Sequence, residues 1–134
     1  ITVKEFKARK EALNKEQRSS MQSILTAEQK SKMAEMRTKR EQENKARENK
    51  RFEKMKTNLT LSNEQASQIK AQNESVFNNL KAIRENESLS MEQKKQQMKA
   101  IKDAARQERM KVLTTEQKKK MENLKKDKKY KGRK

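Results

Sequence analysis

Leu113-Thr114-Thr115-Glu116-Gln117 is a helix start written in five residues. Thr at the N-cap offers its hydroxyl to an amide of the first turn. Gln three residues later reaches back to the cap's own N–H and completes a capping box, and the Leu in front is placed to act as a hydrophobic staple. Glu in the first turn meets the positive end of the helix dipole. The pattern recurs at Leu25-Thr26-Ala27-Glu28-Gln29, at Leu61-Ser62-Asn63-Glu64-Gln65 and at Leu89-Ser90-Met91-Glu92-Gln93. Each copy marks a turn and the helix that leaves it. A weaker copy, Leu13-Asn14-Lys15-Glu16-Gln17, falls in mid-helix in the frame derived below and is read as coincidence.

A longer repeat underlies these marks. Residues 1–33 align without gaps on residues 89–121 at an offset of 88. Lys7 meets Lys95, Ala12 meets Ala100 and Arg18 meets Arg106. Leu25, Thr26, Glu28, Gln29, Lys30, Lys32 and Met33 meet identical residues, and Ile24 and Met36 meet Val112 and Leu124. The spacing predicts helices over about 2–23, 26–56, 62–86 and 90–111, with a last one from Thr114 that frays into the tail. Apolar residues keep helical period within them. Ala66, Ile69, Val76, Leu80 and Ile83 share a face with Phe77 beside them, and Met98, Ile101, Ala105 and Val112 share another. Residues 37–51 carry Ala46 as their only apolar side chain. That stretch reads as a solvated helical connector.

Composition sets the limits of this reading. Of the 134 residues, 42% are charged and 29% hydrophobic, and the net charge is +18. So little apolar surface cannot fill a thick globular core, but it can fill narrow seams between thin helices. Proline is absent and Gly132 is the one glycine. Turns must therefore be built from Asn, Ser and Thr, and a strand-and-turn fold lacks its punctuation. With no histidine, no cysteine, no glycine-rich loop and no clustered carboxylates, the sequence offers no nucleophile, metal site or phosphate cradle. A non-enzymatic protein without a cofactor is expected. No apolar run is long enough to span a membrane. The chain opens on Ile1 rather than Met, which a cleaved signal peptide and a trimmed chain fit equally.

At these residues the chain resembles the Spy/CpxP family of bacterial periplasmic proteins, whose hallmark is the LTxxQ motif. Leu25-Thr26-Ala27-Glu28-Gln29 and Leu113-Thr114-Thr115-Glu116-Gln117 fit the motif fully, and Leu61-Ser62-Asn63-Glu64-Gln65 fits with Ser for Thr. Residues 58–127 match one family unit. Residues 1–57 look like the second half of a preceding unit together with the charged connector, and residues 128–134 form a basic tail expected to be disordered. The resemblance implies an all-α fold, a thin, curved layer of long antiparallel helices, here with a partial internal repeat. It implies an antiparallel homodimer whose basic concave surface holds unfolded or partly folded clients without ATP, a secreted precursor, a periplasmic location and a link to envelope stress. The narrow stripes themselves, which leave one helix face open, call for a homodimer or for pairing of the two repeats within the chain. The partial extra repeat departs from the family. So does the lack of the His and Cys with which some relatives bind metal.

On that reading the motif residues Leu25, Thr26, Gln29, Leu61, Ser62, Gln65, Leu89, Ser90, Gln93, Leu113, Thr114 and Gln117 are structural caps that shape the surface. A client surface needs dispersed positive charge and adaptable apolar spots, a role that methionine suits. Arg18, Arg84, Arg106 and Arg109 are candidates for the first, and Met98, Met110, Met21 and Met91, with Phe77 and Ile101, for the second. The competing reading of Met98, Ile101 and Phe77 is packing between helices. Docking on an acidic partner, such as a sensor's extracytoplasmic domain, is an alternative function, and nucleic-acid binding is another. The basic run over residues 118–134, ten Lys or Arg against two acids, reads first as a solvated, disordered stretch, with nucleic acid or an anionic membrane surface as the ligands it suits. No recognised DNA or RNA module accompanies it, and aromatic stacking residues are few.

Overall fold

The computed structural model describes residues 1–131, Tyr130 and Lys131 by backbone alone. Five helices carry the described residues: α1 (Val3–Ile24), α2 (Ala27–Leu59), α3 (Asn63–Glu85), α4 (Met91–Val112) and α5 (Thr115–Lys131). No strand occurs among the described residues. The protein is all-α.

Every helix starts where a capping box stands. Ser62 and Ser90 accept from the amides of Gln65 and Gln93, whose side chains accept in return from the cap amides. Thr26 with Gln29 and Thr114 with Gln117 make the same exchange. The first helix has a box as well, Thr2 with Glu5, which the Leu-Ser/Thr-x-x-Gln pattern does not reveal because Glu stands in for Gln. Hydrogen bonds from Thr2, its backbone amide first and its hydroxyl second, hold the Glu5 carboxyl below the ordinary glutamate range. Leu13 to Gln17 lie inside α1, so the fifth copy of the pattern starts nothing.

The turns are made without glycine. After α2 the Leu61 amide reaches back to the Lys56 carbonyl at 3.1 Å and the Thr60 amide to Thr57 at 3.3 Å, with Thr60 at φ 50°. This is a Schellman ending with a threonine in the left-handed position that glycine usually fills. A β-branched residue there costs about 1–2 kcal/mol. After α3, the Asn86 side chain accepts from the Ser88 amide and closes an Asx turn.

The chain divides into two units, Ile1–Glu48 and a second that begins at Asn49. The boundary falls upstream of the expected break at residue 57, because Phe52, Met55 and Leu59 of α2 pack in the second unit. The first unit has no buried residue, and over residues 37–51 only Glu41 is shielded at all. In the second unit α3 and α4 pack side by side. Their cross-links, Arg109 to Asn73 and Lys94 to the Arg84 carbonyl, run in antiparallel register. The core is small: Phe52, Leu59, Leu61, Ala66, Ile69 and Leu113, with Met55, Met110, Val112 and Met121 against it. Further along the hairpin Val76, Phe77, Leu80, Ile83, Met98, Ile101 and Ala105 are half-buried, as their spacing predicts. α5 stays helical through residues 128–131, part of the stretch expected to be a disordered tail. Residues 132–134 lie outside the described residues.

Two substitutions test this account. Ile69 has no exposed surface, and Ile69→Ala is expected to lower the urea-unfolding free energy by about 2–5 kcal/mol. Thr60→Gly is expected to raise it by about 1 kcal/mol, by relieving the left-handed threonine.

Candidate functional site

Two of the motif turns meet in the second unit. The Gln65 Nε2 donates to the Val112 carbonyl at 2.9 Å and to the Gln117 Oε1 at 2.9 Å. The Gln117 Nε2 donates to the Gln65 Oε1 at 3.1 Å and to the Leu59 carbonyl at 3.3 Å. Each Oε1 also accepts from its own N-cap amide, Ser62 at 3.1 Å and Thr114 at 2.9 Å. A primary amide has two N–H donors and two acceptor sites, and both glutamines use all four. Every bond made by one has a counterpart in the other. The result is a nearly twofold clasp between the α2–α3 and α4–α5 turns.

The clasp explains the composition of the motif. Gln serves both as cap and as cross-link. Glu could cap equally well but has no donor to send across. The Leu residues of the two motifs, Leu61 at 8% exposure and Leu113 at 4%, sit in the core directly beside the clasp. Gln117 itself is buried, so an unsatisfied amide there would be costly.

The other two copies cap without cross-linking in this way. Gln29 and Gln93 are exposed, and each exchanges the two box hydrogen bonds with its own cap, Thr26 or Ser90. Leu25 and Leu89 are half-buried. The four copies therefore split into a buried pair and two exposed ones, a division their sequences do not announce.

The residues singled out as a client surface are dispersed. Arg18 stands exposed on α1 in the first unit. In the second, Arg84 and Arg106 are exposed, while Phe77 and Met98 are half-buried along the α3–α4 hairpin. Arg109 is half-buried, and its Nη2 donates to the Asn73 Oδ1 at 2.8 Å. Met110 packs against the core. The most open apolar side chains are Ile1, Val3, Phe6, Leu13, Met21, Ile24, Met33 and Met36 of the first unit, with Met91 on α4, and of these only Met21 and Met91 are among the candidates. Val3, Phe6, Leu13, Met21 and Ile24 fall on one face of α1 at helical period, a stripe that Lys10 and Gln17 interrupt. Among the described residues no cluster of His, Cys, Asp or Glu is arranged to hold a metal ion, and no helix is long and apolar enough to cross a membrane.

No known protein family, curated protein or solved structure matches the chain.

Capping and cross-linking can be separated by experiment. Gln117→Glu keeps a capping acceptor but removes the donor and buries a charge opposite the Gln65 Oε1. It is expected to cost about 2–3 kcal/mol in chemical denaturation, against a few tenths for Gln93→Glu on the exposed copy. Equal costs at the two positions would reduce the glutamines to caps.

Proposed function

We propose that this chain binds unfolded or partly folded proteins without ATP, as a periplasmic chaperone or envelope-stress modulator of the Spy/CpxP kind. In this reading the helices form a thin, curved and basic layer, the 88-residue repeat reflects a duplicated helical unit, and two copies associate. The observation that carries the proposal is the exposure of large apolar side chains on a chain of net charge +18. On α1, Arg9 and Lys10 stand three and four residues from Phe6 and from Leu13, and Arg18 stands three before Met21. Residues so spaced share a helix face. Positive charge draws acidic segments of a client from a distance. Flexible thioethers and isolated rings then make weak contacts that do not depend on one sequence. The uniform charge also keeps copies with exposed apolar groups from aggregating.

A second reading has its own support. Lys119, Lys120, Lys125, Lys126, Lys128 and Lys129 are exposed on α5, and a basic helix of this kind suits an acidic protein domain or a nucleic acid.

Client binding is tested by aggregation of a chemically denatured protein diluted into buffer without nucleotide. Suppression at equimolar chain is expected, and client affinity should weaken by roughly tenfold or more as salt rises from about 0.1 M to about 1 M, where the screening length falls from about 10 Å to about 3 Å. No suppression, together with a shift of DNA or RNA at physiological salt, would favour the second reading.

A further inference from the structure

The first unit repeats half of an arrangement that the second unit completes. α1 and α4 have the same length, and the boundaries Val3, Ile24 and Ala27 fall 88 residues before Met91, Val112 and Thr115. The caps correspond as well: Thr2 with Ser90, and Leu25 with Leu113, both extended. In the second unit the face made by Val112, Leu113, Gln117 and Met121 is closed against the α2–α3 turn. The matching face in the first unit is Ile24, Leu25, Gln29 and Met33. There Ile24 is 78% exposed, Met33 40%, Gln29 exposed and Leu25 half-buried, whereas their counterparts Val112 and Met121 are half-buried and Gln117 and Leu113 buried. A pair of helices that buries nothing is marginal alone.

We infer that this face is the contact between two copies of the chain, turn against turn about a twofold axis. The occupant follows from the clasp itself. Its two halves are both Leu-Ser/Thr-x-x-Gln turns, and each glutamine treats the other alike, so one motif can pair with a second copy of itself. The α2–α3 turn is already engaged within the chain, and the exposed Leu89–Gln93 copy is the counterpart of the Thr2 helix start rather than of the clasped turn, so the Ile24–Met33 face is the open half in each copy. Gln29 then donates to the Oε1 of Gln29 of the partner subunit and to the carbonyl of Ile24 of the partner subunit, as Gln65 does to Gln117 and Val112. Leu25 and Met33 pack across the axis. A contact of this kind is isologous and closes at two copies.

This inference rests on the two-copy part of the proposed function and not on client binding. Sedimentation equilibrium of the full chain over a range of concentrations tests it, with aggregation suppression measured on the same samples. A dimer is expected. Gln29→Glu, which retains the capping acceptor but sets two carboxylates face to face, is expected to weaken it about tenfold or more with helix content unchanged by circular dichroism. Leu25→Ala should weaken it too, and Gln93→Glu should not. A chain that stays monomeric throughout overturns the inference; if that monomer still suppresses aggregation, client binding survives without it. A dimer untouched by Gln29→Glu overturns the proposed surface. So does one that Gln65→Glu dissolves and Gln29→Glu does not, since that pattern belongs to exchange of the α2–α3 hairpin between copies.

Discussion

Four hydrogen bonds between two glutamines and two helix-end carbonyls hold the second unit in register. The chain has few apolar residues to spend, and nearly all that become buried lie next to the Gln65–Gln117 clasp. Hydrogen bonds of this kind are each worth only about 1 kcal/mol net. Their leverage comes from position. They fix the turn of α2 into α3 against the turn of α4 into α5, and so decide which side chains meet: Leu59, Leu61, Ile69 and Leu113 converge only if the two turns are adjacent. A neutral amide pair suits the task better than an ion pair, since it crosses a dry contact without the desolvation cost of a buried charge.

Local signals were legible in the sequence and distant ones were not. The starts of α2, α3, α4 and α5 follow from a donor and an acceptor three residues apart. Such pairs act whatever the rest of the chain does, so Thr26, Ser62, Ser90 and Thr114 all stand where the motif puts them. The seams of α3 and α4 were equally plain in their period. The partner of Gln65 was not, because nothing in a five-residue motif tells which of the other copies it will face across a separation of 52 residues. The end of α2 was misplaced by a few residues for a related reason. The expected end lies near Lys56, but helix persists to Leu59, whose side chain is buried and whose carbonyl accepts from Gln117.

The candidate binding residues divide along the same line. Arg18, Arg84 and Arg106 are exposed, as expected of charges with no local partner in view. Arg109 and Met110 look equivalent to them in sequence but lie on the side of α4 that faces α3 and the core, and are occupied there. Charge and residue type identify what could touch a ligand. Only the rotation of the helix about its axis, which the position of the clasp sets, decides what does.

The buried residues are gathered at one end of the α3–α4 hairpin. Towards the Asx turn at Asn86, contacts are made by side chains that stay half-open to water. Tension in such a hairpin is resisted unevenly. Residues 86–90 tether the two helices at that outer end and the core holds them at the other, so loosening is confined to the half-open stretch between, where fewer buried contacts oppose it.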